Sequence, residues 1–239
     1  MFDSLKKKLA GALRPEQRVM DVGPVFDNFG LYLKVGSHLK VRSNNALIFG
    51  SNCMPPKEEV IQTIGVFDMS HSKVYRFWLS QEYFVQVILT NMKEIEEVRG
   101  YRLLKVVLPS TTKEWEAWLL SKSLANSRGT DPGFIGRDEF VHYDTPYYRL
   151  ESWAGPDEDW VKPIEFTETQ YSIVEGIVKS SRYINHAAMA YGRWLNEEQE
   201  IPEYLLVSAE DLNINGVQSS SIRIYVGMDL AIADLQNNY

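Results

Sequence analysis

The chain has 239 residues, a formal net charge of −7, 44% hydrophobic and 24% charged residues, the make-up of a globular protein large enough to bury a core without staples. Its single cysteine, Cys53, excludes an internal disulfide framework and a cysteine-rich zinc module, and no run approaches the roughly 18 apolar residues of a membrane-spanning helix. Residues 1–50 carry eight Lys/Arg against four Asp/Glu, a balance of +4, whereas residues 151–239 carry five against fifteen, a balance of −10. The acidic body argues against a nucleic-acid partner, which would need a basic face.

In chain order, MFDSLKKKLAGALR (1–14) reads as an amphipathic helix that ends at Pro15. Phe2, Leu5, Leu9 and Leu13 share one face, flanked by Lys6 and Lys8. At about 1.5 Å per residue it would span about 20 Å, too short to be stable alone in water, so it needs a surface. That surface is either an anionic membrane or partner helix, or the protein's own sheet. No apolar stretch or cleavage site follows the lysines, so the head is not a secretory signal and a cytoplasmic location is expected. Residues 16–59 are punctuated by Gly and Pro, with strands expected only at 31–35 and 46–49.

From Val60 the pattern sharpens. IQTIGVFDM (61–69), KVYRFWLS (73–80) and YFVQVIL (83–89) are strand-like runs with links too short for anything but antiparallel neighbours. YRLLKVVL (101–108) adds a fourth strand. Thr111-Thr112-Lys113-Glu114 has the spacing of a capping box and opens a predicted helix over 111–126. Residues 127–146 read as loop and offer a candidate subdivision of a single 16–239 domain. Weaker strands follow at 147–153, 160–166 and 171–180. Three aromatic-rich runs, 186–196, 204–211 and 221–230, then form a meander. The expected fold class is therefore α+β: predominantly antiparallel β-sheet with one internal helix and the N-terminal amphipathic helix.

No catalytic signature accompanies this pattern. The four histidines, His38, His71, His142 and His186, show no metal-ligand spacing, so no metal or cofactor is expected. His142 and Asp144 would share one face if extended, the plain alternative being an ordinary loop pair. A catalytic Cys53 would need a histidine from elsewhere. The acidic run Asp157-Glu158-Asp159 could attract a cation, but such runs are usually solvated faces. Arg193 and Glu203 fall on adjacent strands of the meander and could face each other, which by itself would be a packing ion pair.

The block IGVFDMSHSKVYRFWLSQEYFVQVIL, with HAAMAYGR, EYLLVSAED and IYVGMDL, resembles the YjfK-like family of uncharacterised bacterial proteins, over roughly residues 60–235. The matching positions include Gly65, Asp68, Tyr75, Arg76, His186, Arg193, Glu203, Glu210 and Gly227. They are packing patterns, and the family supplies no functional residues to carry over. What the resemblance implies is context: such proteins are encoded beside membrane-remodelling proteins similar to phage-shock protein A. On that ground the first expectation is a non-enzymatic adaptor of the bacterial cytoplasm, acting in envelope stress or membrane maintenance. Residues 1–14 would dock it on a protein partner or peripherally on the inner membrane. The alternative is a small-ligand-binding or hydrolytic domain using Asp68, Arg76, His186, Arg193, Glu203 and Glu210. Aromatic-rich edge strands also allow a homodimer.

Overall fold

The computed structural model describes residues 25–26, 31–56, 58–80, 82–90, 94–150, 158–174, 177–214 and 217–238. The predicted head helix, with Phe2, Leu5, Lys6, Lys8, Leu9 and Leu13, lies outside them.

The elements run β1 (Val25–Phe26), β2 (Leu31–Tyr32), β3 (His38–Val41), α1 (Asn44–Ile48), β4 (Glu59–Val60), β5 (Thr63–Met69), β6 (Ser72–Trp78), β7 (Tyr83–Thr90) and β8 (Glu94–Val107). After these come α2 (Thr112–Leu119), α3 (Lys122–Arg128), β9 (Glu139–His142), β10 (Thr145–Arg149), β11 (Ile164–Val174), β12 (Ile177–Asn196), β13 (Ile201–Ile214), β14 (Val217–Asp229) and β15 (Leu235–Asn238). The main sheet has the order β5-β6-β7-β8-β14-β13-β12-β11, and β11 pairs back with β5 through Thr169–Tyr171 against Val66–Ile64. Every one of these pairings is antiparallel. The sheet thus closes into an eight-stranded antiparallel barrel with no free edge of its own.

That closure corrects the α+β expectation. Among the described residues the protein is mainly β, most of them lying in strands, with three short α-helices. The helix expected over 111–126 begins as foreseen, Thr111 Oγ1 accepting from the Glu114 amide, but it stops at Leu119. Ser121 then caps a second helix, α3, which ends on Gly129 in the left-handed conformation. The strand expected at 46–49 is instead α1, capped by Ser43. Its apolar side chains Leu47 and Ile48 remain exposed, while Ala46 alone of the helix turns into the core. The strand expected at 171–180 straddles the link between β11 and β12, which pair up to Val174↔Ile177. At the β9–β10 hairpin, Tyr143 and Asp144 both adopt positive φ, 46° and 59°. That two-residue turn denies His142 and Asp144 the extended geometry that would put them on one face.

Three apolar clusters follow from strand alternation. On the outside, Ile64, Phe77, Val85 and Val226 pack beneath Leu33, Leu39, Val41 and Ile61 of the N-terminal segment. Elsewhere on the outside, Met189, Leu205, Val207 and Ile224 pack under Ile135, Phe140 and Tyr147, with Trp115 and Trp118 of α2. Inside the barrel, Trp78, Phe84, Tyr101, Tyr204, Leu206 and Tyr225 form a largely aromatic plug. Phe84 anchors it, its ring centroid 4.5 Å from Trp78, 5.1 Å from Tyr101 and 5.3 Å from Tyr225. Among the described residues no helix is long and apolar enough to cross a membrane.

Candidate ligand-binding site in the barrel

One rung of the barrel sets Gly65 opposite Arg76 and Arg76 opposite Gln86. Another sets Phe166, His186, Glu210 and Ser221 in line. Paired residues share a face, so these two rungs direct polar side chains into an interior that would ordinarily be apolar.

They meet at Glu168, which has no exposed surface. Its Oε2 accepts from Arg76 Nη1 at 2.8 Å and faces His186 Nε2 at 3.5 Å. Its Oε1 accepts from Trp78 Nε1 at 3.2 Å and Gln170 Nε2 at 2.6 Å. Burial pushes the Glu168 carboxyl up, but the Arg76 guanidinium, with the nearby His186 ring and the hydrogen bond from Gln170, outweighs it. The group is held well below the ordinary carboxylate range. Arg76 is equally enclosed, its Nε donating to Gln86 Oε1 at 3.1 Å and its guanidinium 4.9 Å from the Phe67 ring and 5.1 Å from that of Phe84. Gly65 is required here for space, because a Cβ on it would overlap Glu168 Oε1.

The His186 ring stacks on Phe166 at 4.6 Å, and its Nδ1 lies 2.9 Å from Ser208 Oγ and 3.8 Å from Glu210 Oε1. Glu210 accepts from the Tyr225 hydroxyl at 3.2 Å and stands 3.2 Å from Arg223 Nε. Next to this cluster, at the rim carrying Thr63, Ser172 and Ser219, a cavity of about 380 Å³ opens. Trp78, Gln170, His186, Glu210, Arg223 and Arg182 all line it. Arg182 Nε donates to Gln170 Oε1 at 2.7 Å, which links the rim to Glu168.

Ser208, His186 and Glu168 are arranged in the order of a nucleophile–base–acid relay. The geometry does not support that chemistry. Ser208 is 1% exposed, does not line the cavity, and sits mid-strand between β12 and β14 with its neighbouring backbone taken up by both ladders. A substrate carbonyl would find neither the hydroxyl nor free amides for an oxyanion.

The other expected residues lie elsewhere. Asp68 is exposed near the β5–β6 turn, opposite Lys73. Arg193 and Glu203 do face each other, at 2.7 Å, with Glu203 wholly buried. They sit on the outside of the barrel, where Glu203 also accepts from Ser51 Oγ at 2.6 Å and the Tyr147 hydroxyl at 2.8 Å. That carboxylate clasps the N-terminal segment and β10 to the barrel wall. Nearby Cys53 is 2% exposed, and burial, with Glu203 adding to it, pushes its thiol up to about 12, so it is no nucleophile. Among the described residues no group of three or more His, Cys, Asp or Glu is placed to hold a metal.

Of the six polar candidates, then, Arg76, His186 and Glu210 converge and Asp68, Arg193 and Glu203 do not. Sequence reasoning misses Glu168, Gln170, Arg182 and Arg223. In β11 the inward Phe166, Glu168 and Gln170 alternate with Glu165, Thr167 and Thr169, so both faces are polar and alternation carries no signal. Arg223 had one: Ser219, Ser221 and Arg223 alternate with the apolar Ile222 and Ile224, a polar stripe pointing at Glu210.

The chain matches, over residues 1–236, the family described as protein of unknown function DUF2491. It belongs to that family. The DUF2491 match includes the basic head, which the resemblance read from the sequence leaves out. It supports kinship with an uncharacterised family and does not itself carry the YjfK name. No curated protein and no solved structure matches this DUF2491 chain.

Proposed function

We propose that the barrel is a binding domain for a small polar molecule, held in the cavity between Trp78, Arg182, Glu210 and Arg223. One observation carries this reading: a fully buried Arg76–Glu168 pair, tied through Gln170 and His186 to a solvent-reachable polar cavity. Burying two charges costs several kcal/mol per ion, and well-packed apolar residues of similar volume are often as stable or more so. A rigid polar floor beneath an open cavity is what a binding site needs, because it fixes the side chains that meet a ligand. The volume falls at the small end of the roughly 300–1,000 Å³ range of ligand pockets.

A library of small polar metabolites screened by thermal shift against the full chain tests the proposal. A ligand at 100 times its Kd should stabilise the protein by about 2.7 kcal/mol. Ser219 is exposed on the rim, so Ser219→Trp should close the entrance and abolish the shift without altering the unliganded melting temperature. A library without hits, or hits indifferent to Ser219→Trp, would sink the reading.

A second reading, that of an adaptor, is favoured by the basic amphipathic head on an acidic body. In it, residues 1–14 dock the chain on a phage-shock-protein-A-like partner or on the inner face of a bacterial membrane during envelope stress, as the likeness to YjfK-like proteins implies. Co-sedimentation with anionic vesicles, with and without residues 1–14, tests it; equal binding by the two forms would refute it.

A further inference from the structure

We infer that the ligand of this cavity is a small hydroxylated anion of about monosaccharide size, whose carboxylate or phosphate lies between Arg182 and Arg223. The inference rests on the binding reading above and specifies its chemistry. Charge comes first. The cavity is lined by two guanidinium groups and a single carboxylate, a formal surplus of +1 among these three groups. Glu210 is already engaged by Tyr225 and Arg223. Arg182 has its Nε on Gln170 and no carboxylate within ion-pair distance among the described residues. Among the described residues its charge is thus unpaired at the mouth of a closed barrel, where an incoming anion would pair with it in the planar, two-pronged manner that guanidinium favours.

Hydroxyl chemistry comes second. Thr63, Ser172, Ser219 and Ser221 line the same cavity, and their side chains make no hydrogen bond with another described residue. Each offers a donor and an acceptor, the pattern that reads a polyol's hydroxyl groups. Third, His186 lines the cavity with a side chain only 1% exposed, and its Nε2 has no hydrogen-bond partner closer than the 3.5 Å approach to Glu168. That nitrogen faces Glu168, which does not line the cavity, so the ring serves as inner wall and the polar contacts to a ligand fall to the arginines and hydroxyls. The Trp78 indole on the same lining supplies the apolar surface against which a sugar ring packs.

Isothermal titration calorimetry on the full chain tests this with four probes: glucuronate, glucose 6-phosphate, glucose and inorganic phosphate. The expected result is saturable binding of glucuronate or glucose 6-phosphate at least ten-fold tighter than glucose and than inorganic phosphate. Whichever of the two binds tighter identifies the anion as carboxylate or phosphate. Arg182→Gln, at an exposed position, should keep the melting temperature and weaken that binding at least ten-fold, and Arg223→Lys should weaken it while retaining charge. Glucose binding as tightly as the anions would overturn the inference, as would inorganic phosphate alone binding as tightly as the sugar phosphate, or Arg182→Gln binding within two-fold of the parent. If none of the four binds but the metabolite library yields ligands blocked by Ser219→Trp, the binding domain stands and its anion specificity falls. If neither experiment finds a ligand, both fall.

Discussion

Replacing Glu168 by Gln removes the carboxylate on which the barrel interior converges while preserving its shape. Arg76, with a side chain 4% exposed, would keep its charge and lose its only described ion-pair partner. His186 and Trp78 would also face a neutral amide in place of an anion. Breaking one half of a buried pair costs about 3–5 kcal/mol, because the remaining charge is stranded away from water. For a chain of this length each kcal/mol lowers the melting temperature by about 2–4 °C, so Glu168→Gln should melt about 6–20 °C below the parent. The double variant Arg76→Met/Glu168→Leu removes both charges and should recover most of that loss. Acid supplies a further check. The folded carboxyl titrates below its unfolded value, so its contribution is complete above the unfolded pKa and vanishes as pH falls through the folded one. The gap between parent and Glu168→Gln should hold from neutral pH to about pH 5 and close in stronger acid. Scanning calorimetry and urea melts at pH 7, 5 and 3 read all of this. A Glu168→Gln chain within about 1 kcal/mol of the parent at pH 7 would refute the account of the interior as built on a costly buried ion pair.

Gly65→Ala should destabilise by about 1–3 kcal/mol in denaturant melts, since the new methyl overlaps Glu168 Oε1; a neutral effect would mean that the β5–β11 seam can part without cost. Glu97, near the other end of the barrel, is raised to about 7 by burial, with Asp229 and Glu96 adding to it against Arg99. Its folded form binds the proton more tightly, so parent stability relative to Glu97→Gln should fall as pH rises from about 4.5 to 7, by about 1–3 kcal/mol, and level off above; an opposite slope would reverse that assignment. The Cys53 thiol, buried and donating to the Gly100 carbonyl at 3.2 Å, should resist Ellman's reagent in the native protein and react at once in 6 M guanidinium. Prompt reaction of the native thiol would show that the N-terminal segment opens readily from the barrel.

The parts of this fold that were legible in the sequence are those made by neighbours. The β5–β6–β7 hairpins and the β12–β13–β14 meander are local antiparallel pairings, and period-two runs with short links announce them. Arg193 and Glu203 could be matched for the same reason, since one short turn fixes their register. The closure was not legible, because β11 and β5 pair across about a hundred residues and nothing in either strand names the other. The candidate site inherits that limit. Arg76 comes from β6, Glu168 from β11, His186 from β12 and Arg223 from β14, and only the closed barrel brings them together. The helix prediction failed for a different reason. Its capping signal at Thr111 was correct, but a second capping serine, Ser121, restarts the helix after one break.

The order of the barrel strands also fixes how the chain must come together as it is made. The first half, β5 to β8, is a continuous meander, and the second half, β11 to β14, is another laid in reverse. Both seams, β5 with β11 and β8 with β14, join one half to the other. While the second half is still being synthesised, the first exposes two unpaired strand edges at once. At about 5–20 residues per second, the roughly 120 residues from the end of β8 to the end of β14 take about 6–25 s to emerge. During that interval the nascent sheet presents open edges to other chains. The order of the strands thus places the greatest exposure to edge-to-edge misassembly before β14 has emerged, when the barrel cannot yet close.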